Sequence, residues 1–279
     1  MVIYLNSIWG FESSKAFTRD LLSKYNISGG PKYKTFSSII GVSEFLSELG
    51  KDYVVKFDGL AGGKGVKVSG DHLHSHRDAL DYCSEIITNK GTFVIEQKFV
   101  GEEFSLMSFC DGETLKHMPI VQDHKRAFEN DTGPNTGGMG TYSDANHSLP
   151  FLNESDVNEA KSINLKTAKA LKEEFNEGYV GILYGGFIAT KNGVKLIEYN
   201  ARFGDPEAMN VLSILDSDFL EICDLMTKKK LKDMQVPYML NGFHPVKPYR
   251  EEEEEEDDEN NDGLINIGAL NLDYDDTEV

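Results

Sequence analysis

Two polar motifs, far apart in the chain, constrain this protein more than any other feature of its 279 residues. The first, VKFDGLAGGKGVKV from Val55, predicts a strand, a glycine-rich loop with a lysine, and a second strand. The second, LIEYNARFGDPEA from Leu196, places a carboxylate, an amide and a guanidinium at every second position. Together they indicate a site for a nucleoside triphosphate and a metal ion.

The first motif combines a permissive backbone with positive charge. Glycine lets a chain approach an anion closely and turn at positive φ. The glycines are Gly59, Gly62, Gly63 and Gly65, and the lysines are Lys56 and Lys64. The motif is not a Walker A loop, because only three residues separate Gly59 from Gly63 and because Gly65 stands where that loop needs Ser or Thr. It favours a glycine-rich hairpin that folds over phosphates, with a flexible turn and solvated lysines as the alternative.

The second motif has the pattern of a strand with one polar face. Side chains alternate along a strand, so Glu198, Asn200 and Arg202 are predicted to share one face. The other face should carry Ile197, Tyr199 and Ala201. A carboxylate and an amide oxygen are hard ligands suited to Mg²⁺ or Mn²⁺, and a neighbouring arginine can bind phosphoryl oxygens. A strand with a solvated polar face is the alternative, which the turn and acids of the following FGDPE segment make less favoured.

Several sequence motifs resemble those of the phosphoribosylamine-glycine ligases, a family of the ATP-grasp superfamily. In chain order they are SKAFTRDLL from Ser14, KFDGLAGGKGV from Lys56, QDHKR from Gln122, DTGPNTGGMGTYS from Asp131 and EYNARFGDPEA from Glu198. GPNTGGMG together with RFGDPE is highly specific, whereas the lysine-glycine loop alone is a weak signal. The resemblance implies an α/β (α+β) ATP-grasp fold, in which two α/β subdomains clamp ATP between antiparallel sheets.

The resemblance also implies an organisation along the chain. We expect an opening ATP-grasp region over residues 1–52, a lid subdomain with the glycine loop over 53–99, a catalytic and metal-binding subdomain over 100–235, and a C-terminal remnant over 236–279 with an acidic linker at 251–262. The family's N-terminal domain, which helps to build the phosphoribosylamine site, and most of its C-terminal domain are expected to be absent. A separate polypeptide could supply the missing N-terminal domain.

The chemistry that the resemblance implies proceeds through an acyl phosphate. ATP converts the carboxylate of glycine to a mixed anhydride, and 5-phosphoribosylamine then displaces phosphate. Glu198 and Asn200 would hold the metal; Lys15, Lys56 and Lys64 would neutralise the ATP phosphates beside the loop glycines; Arg202 would neutralise the migrating γ-phosphoryl group; Glu96, Lys98, Phe99, Val100 and Glu103 would receive adenine and ribose. The catalytic candidates are Arg202, Lys64, Asp123 and Lys125, the last two in the QDHKR run that borders the acceptor pocket.

Composition excludes other classes of function. A net charge of −19 argues against a nucleic-acid surface, which needs a basic footprint. The sequence has no run of apolar residues long enough for a transmembrane helix, and the first residues lack a signal-peptide pattern, so a cytoplasmic location is expected. The cysteines Cys83, Cys110 and Cys223 are isolated and are interpreted as reduced core residues.

Local patterns predict several elements. Helices are expected at about 14–25 and 42–49, after Asp71 as N-cap, and after Asn153 with Asp156 completing a capping box. Strands are expected at 93–99, 181–190 and 194–200.

Three functions remain open at this point. The first is a truncated or split phosphoribosylamine-glycine ligase, and the second is an ATP-grasp ligase retargeted to another amine. The third is a non-catalytic nucleotide-binding scaffold. Retention of Lys56, Glu198, Asn200 and Arg202 argues against the scaffold, which has no physical need for that set.

Overall fold

Two four-stranded antiparallel sheets organise the part of the chain that the computed structural model describes, residues 9–61, 65–129, 132–136 and 138–234. All of these residues belong to one of the two units into which the chain divides, residues 1–248. The sequence-based expectation of an α/β (α+β) protein with antiparallel sheets is confirmed.

The described chain opens with two helices, α1 (Trp9–Ser13) and α2 (Lys15–Lys24). Ser14 is the N-cap of α2, because its hydroxyl accepts a hydrogen bond from the Phe17 amide at 3.0 Å. The expected helix at 14–25 is therefore confirmed.

The smaller sheet carries the first motif. Its elements are β1 (Tyr33–Phe36), α3 (Val42–Leu49), β2 (Tyr53–Phe57), β3 (Val66–Val68), α4 (His76–Thr88) and β4 (Phe93–Gln97), and the strand order is β1-β4-β2-β3. Val55 and Ile95 are fully buried against side chains of α3 and α4, such as Leu46 and Cys83. Burial of an aliphatic side chain of this size contributes about 1.5–3 kcal/mol. Because β1 pairs with β4, this sheet begins earlier in the chain than residue 53.

Helix α4 does not begin where the sequence suggested. Its N-cap is Ser75, which forms a capping box with Asp78, so the expectation that Asp71 caps this helix was wrong. Asp71 instead accepts a hydrogen bond from Arg126 at 3.1 Å. Asp71 and Ser75 are both good N-cap residue types, and the long-range contact with Arg126 is not visible in the local pattern.

The larger sheet carries the second motif. Its strands are β5 (Glu102–Asp111), β6 (Leu115–His117), β11 (Val180–Thr190) and β12 (Gly193–Asn200), in the order β12-β11-β5-β6. Between β6 and β11 lie the short strands β7 (Gln122–Asp123), β8 (Arg126–Phe128), β9 (Thr132–Asn135) and β10 (Thr141–Tyr142), and helix α5 (Glu154–Phe175). Asn153 caps α5 with Asp156 in a capping box, as expected. After β12 follow α6 (Glu207–Ser213), α7 (Phe219–Thr227) and a 3₁₀ turn at Leu231–Asp233.

Helices cover both faces of the larger sheet. Leu106 and Leu183 point into a core that α2 and α5 complete. Their neighbours Met107 and Tyr184 point into a second core, on the side of α6 and α7. This alternation is the period of two that a strand imposes.

A β-bulge at Ile197 interrupts the pairing of β12 with β11. Glu198 lies opposite Gly186, whereas Leu196 lies opposite Phe187, so Ile197 has no partner residue. Leu196 and Tyr199 therefore both reach the core under α5, although they are an odd number of residues apart. Ile197 is not part of that core and lines a cleft together with Glu198 that Tyr199 does not reach, so the expectation that it shares a face with Tyr199 was wrong.

The described cysteines carry free thiols, and Cys83 and Cys110 are buried. Burial raises the pKa of both to about 12, which keeps these thiols protonated. Within the described residues, no helix is long and apolar enough to cross a bilayer. The acidic linker predicted at 251–262 lies outside the described residues.

Candidate active site

The first cleft lies where the start of α2 meets the end of β12. Its polar lining comes from Glu12, Ser14, Lys15, Thr18, Arg19, Glu198 and Asn200. The structure thus brings together Lys15 and the Glu198-Asn200 pair, which the sequence had assigned to one site. Burial lowers the pKa of Lys15, and the nearby carboxylates of Glu198 and Asp58 offset only part of this effect.

The second cleft lies on the other side of Glu198. Its polar lining comes from Glu103, Ser105, Asp123, Lys125, Tyr184, Glu198 and Glu207. Ile197 and Glu198 line both clefts, so the bulged part of β12 separates them. The predicted residues Glu103, Asp123 and Lys125 therefore meet the predicted metal ligand Glu198 here.

Asp123 is the most unusual group in the second cleft. Its side chain is 5% exposed, and neither carboxylate oxygen has a hydrogen-bond partner among the described residues. Burial raises the pKa of Asp123 to about 6; Lys125, with its ammonium at 3.8 Å, acts against this, whereas Glu207 and Asp205 add to it. A buried carboxylate without a hydrogen-bond donor is a favourable place for a cationic group.

The acidic side chains around Asp123 also act on Lys125, but they favour its charged form. Burial alone would lower its pKa, but the carboxylates of Glu103, Asp123 and Glu207 outweigh burial and raise it. Lys125 therefore stays charged and can bind an anion in the second cleft. Next to it, His124 stacks on Tyr142 with ring centroids 5.7 Å apart and an interplanar angle of 5°.

A buried ionic triad connects the two sheets. The carboxylate of Glu96, on β4, pairs with Arg19 of α2 at 2.7 Å and with Lys56 of β2 at 2.5 Å. Arg19 and Lys56 also donate to the carbonyl oxygen of Ile197, at 2.6 and 3.0 Å. All three charged side chains are at most 5% exposed.

The bulge explains how both cations reach this carbonyl. A residue at a bulge is left out of regular pairing, so its backbone groups are available to other donors. Although burial would raise the pKa of Glu96, the charges of Arg19 and Lys56 hold it below its ordinary value. Glu96 is therefore ionised, and its side chain joins α2 to the smaller sheet.

The remaining predicted residues lie around these clefts. Arg202 follows the end of β12, is 57% exposed, and pairs with Glu12 of the first cleft at 3.1 Å. Lys98 donates to the Ser69 carbonyl at 2.8 Å, and Val100 is an exposed neighbour of the half-buried Phe99. Gly62, Gly63 and Lys64 lie outside the described residues.

The base of the glycine loop contacts α2 directly. The ammonium of Lys15 donates to the Gly59 carbonyl at 2.6 Å, and Asp58 accepts hydrogen bonds from the start of the same helix. At the other end of the loop, the Gly65 carbonyl accepts from the Phe57 amide at 2.8 Å and from the Tyr82 hydroxyl at 3.1 Å.

Sequence reasoning had given no role to Glu12, Arg19, Asp58 or Glu207. A signal existed for Arg19, which lies four residues after Lys15 and therefore on the same side of α2. Glu207 was recognised only as an added acid; in the structure it is buried and accepts from the Tyr184 hydroxyl at 2.8 Å.

Several known proteins resemble this chain in sequence. The family model described as "Phosphoribosylglycinamide synthetase, ATP-grasp (A) domain" matches residues 13–208. A phosphoribosylamine-glycine ligase of Methanosarcina barkeri is 51% identical over 227 residues, which is 81% of this chain and 52% of that protein. Its counterpart from Methanocaldococcus jannaschii is 51% identical over 234 residues, with the same shares of 81% and 52%. The chain spans about half the length of the curated relatives it matches.

Solved structures share the fold. The crystal structure of phosphoribosylamine-glycine ligase from Thermotoga maritima has a TM-score of 0.71 at 27% identity, over 84% of this chain and 58% of that chain. A biotin carboxylase complex from Campylobacter jejuni has a TM-score of 0.62 at 16% identity, over 84% of this chain and 50% of that chain, and shows the fold alone. The ATP-grasp fold expected from the sequence is confirmed.

Proposed function

Because this chain belongs to the phosphoribosylglycinamide synthetase family through its ATP-grasp (A) domain, we propose that it uses ATP to join glycine to 5-phosphoribosylamine. The observation that carries this proposal is that Ile197 and Glu198 line both clefts. In this proposal Glu103 would hold the ribose of the nucleotide, and Lys15 with the lysines of the first motif would hold its phosphates. The adenine would lie near the chain that links β4 to β5, Lys98 to Val100.

The metal ion is proposed to bind to Glu198 and Asn200 at the first cleft. No group of three or more His, Cys, Asp or Glu side chains in the described ranges is arranged to hold a metal. A site with two protein ligands fits Mg²⁺ or Mn²⁺ bound together with substrate phosphates and water, since Mg²⁺ is commonly held by one or two carboxylates and phosphate oxygens. The ion would neutralise charge on the phosphates during transfer.

The cations of this chain would fix the triphosphate. Lys15, Lys56 and, from the glycine loop, Lys64 would neutralise the phosphates, and Arg202 would bind the migrating γ-phosphoryl group. Lys56 can make this contact from its present position only by sharing its ammonium with Glu96, at 2.5 Å. Arg19 would keep Glu96 paired while Lys56 shares its charge with the nucleotide.

The second cleft has the charges that glycine needs. We assign the ammonium group of glycine to Asp123, which lacks a hydrogen-bond donor within the described chain. The carboxylate of glycine would lie toward Lys125, which the surrounding carboxylates keep charged. Glycine held in this way directs its carboxylate toward the phosphates at Glu198.

Two group transfers complete the reaction. A carboxylate oxygen of glycine attacks the γ-phosphorus of ATP, the bond to the β-phosphate oxygen breaks, and ADP leaves. The amine of phosphoribosylamine then attacks the carbonyl of glycyl phosphate, phosphate leaves, and the amine loses a proton. We propose that the second step also needs groups outside the 279 residues, from a longer form of the chain or a separate polypeptide, because the chain matches only 52% of its relatives' length.

The two steps are tested separately. Incubation with ATP, Mg²⁺, glycine and hydroxylamine should yield glycyl hydroxamate and ADP, and Glu198→Gln should abolish both. Addition of phosphoribosylamine should give little ligation with the isolated chain. Hydroxamate formed from other amino acids but not from glycine would support a retargeted ligase instead. Nucleotide binding without turnover under any of these conditions would refute the proposed activity.

A further inference from the structure

Asp58 holds the base of the glycine loop on the first turn of α2. Its Oδ1 accepts from the Ser14 hydroxyl at 3.0 Å and from the Ala16 amide at 3.1 Å. Its Oδ2 lies 3.2 Å from the same hydroxyl and 3.4 Å from the Thr92 hydroxyl. The Asp58 amide also donates to the Thr92 carbonyl at 2.9 Å, so this residue is fixed through both backbone and side chain.

One donor to Asp58 is a backbone amide that the helix leaves unpaired. The first four amides of an α-helix have no partner within the helix. Ala16 lies in this first turn, and its amide finds its acceptor in Asp58, 42 residues away in the chain. The Ser14 hydroxyl accepts from the Phe17 amide while it donates to Asp58, so one side chain serves as N-cap and as link.

Lys15, which follows Ser14, and Gly59, which follows Asp58, extend this contact. Lys15 donates its ammonium to the carbonyl of Gly59, at 2.6 Å. Consecutive residues of the loop base, Asp58 and Gly59, therefore bind the N-cap residue Ser14 and the first two residues of α2, Lys15 and Ala16. We call this set of contacts the Asp58 clasp.

Helix α2 also holds the strand that carries the proposed metal ligands. Arg19 donates to the carbonyl of Ile197 at 2.6 Å, directly before Glu198. The same helix thus holds Asp58 and Gly59 at the base of the glycine loop, through the Asp58 clasp, and the residue next to Glu198, through Arg19. A ligand that contacts both the loop and Glu198 can bind only if the distance from α2 to the loop base and the distance from α2 to Glu198 both suit it.

We propose that Asp58 is a positioning residue that sets Gly59, at the base of the glycine loop, and Lys15 relative to Glu198, so that phosphates and metal are bound together. This inference rests on the proposed use of ATP. Asp58 makes no contact with the nucleotide in this role, and its effect is transmitted through α2 and Gly59. Loss of the clasp should weaken nucleotide binding and leave the core of both sheets intact.

The test compares Asp58→Asn, Asp58→Ala and Ser14→Ala with the wild-type chain. Asp81→Asn is the matched control, because Asp81 is a carboxylate of the same subdomain that pairs with Arg77 on the surface of α4. Amide hydrogen exchange without ligand reports on the clasp at Ala16. Calorimetric titration with Mg²⁺ and a non-hydrolysable ATP analogue measures the affinity for nucleotide, which the clasp is proposed to increase.

Asp58→Ala should exchange the Ala16 amide at least about tenfold faster and bind the analogue about tenfold more weakly, the equivalent of about 1.4 kcal/mol. Asp58→Asn keeps one acceptor oxygen and should show a smaller change in both measurements. Ser14→Ala should show a smaller change in the same direction, and Asp81→Asn should show neither. In steady-state assays the KM for ATP should rise more than the KM for glycine. Unchanged exchange at Ala16 in Asp58→Ala, or faster exchange with unchanged affinity, would overturn the proposal.

Neither the exchange measurement nor the titration needs glycine or the amine, so both test the clasp even if glycine activation fails. If Asp58→Ala does not fold, Asp58→Asn and Ser14→Ala carry the test.

Discussion

Replacing Glu96 by glutamine should lower the free energy of unfolding by about 3–5 kcal/mol, because it leaves two buried cations without their carboxylate. Arg19 and Lys56 lie 2.7 and 2.5 Å from this group, and all three side chains are at most 5% exposed. Water therefore cannot replace the lost partner. Glutamine keeps the volume of glutamate, so the loss reports on charge and hydrogen bonding rather than on a cavity.

The variant is measured by urea unfolding and by thermal denaturation. At about 2–4 °C for each kcal/mol in chains of 150–250 residues, the melting temperature should fall by roughly 6–20 °C. The matched control is Glu48→Gln, which breaks a surface pair with Lys32 at 2.6 Å in which both side chains are about half exposed. An exposed pair of this kind contributes about 0–1 kcal/mol.

The pH dependence adds an independent check. The folded-state pKa of Glu96 lies below its ordinary value, so its stabilisation is present above the unfolded pKa and is lost as the pH falls through the folded one. The difference between wild type and Glu96→Gln should therefore shrink in acid, below the ordinary range of a glutamate. A variant within about 1 kcal/mol of wild type at pH 7, with an unchanged urea dependence, would show that the triad is worth no more than a surface pair.

Two further predictions concern the clefts. In wild type, ATP with Mg²⁺ at 100 times its Kd should stabilise the chain by about 2.7 kcal/mol, and Glu198→Gln should lose most of this thermal shift while remaining folded; equal shifts in both would refute the metal assignment. Asp123→Asn should raise the free energy of unfolding at pH 7 by roughly 1–3 kcal/mol, because burial raises the pKa of Asp123 to about 6 and its ionisation above that pH opposes folding. This gain should fade as the pH drops toward 4, and glycine binding should strengthen in wild type, but not in the variant, as the pH rises through 6; a gain that is constant with pH would contradict the reasoning.

Local sequence was sufficient for elements whose signals lie within one or two turns. Ser14 and Asn153 cap α2 and α5 as expected, because a cap involves residues three positions apart. Strands β11 and β12 follow from their apolar patterns, and their bounds agree with expectation to within one residue. The same local reasoning failed for α4, where Asp71 and Ser75 were both acceptable caps and a contact with Arg126 occupies Asp71.

The sequence by itself determined the family and the fold, because contiguous motifs such as KFDGLAGGKGV and EYNARFGDPEA carry them. It singled out six of the thirteen polar residues that line the two clefts. Only the tertiary structure decided how those residues are held. The bulge at Ile197, the pairing of Glu96 with Arg19 and the hold of Asp58 on α2 join residues that are far apart in the chain. A strand pattern has a period of two and cannot reveal where one residue is left out of the pairing. The partner of a charged residue cannot be read from the sequence either. Charge pairs interact strongly only where folding excludes water, so the pairing depends on which charges are buried together.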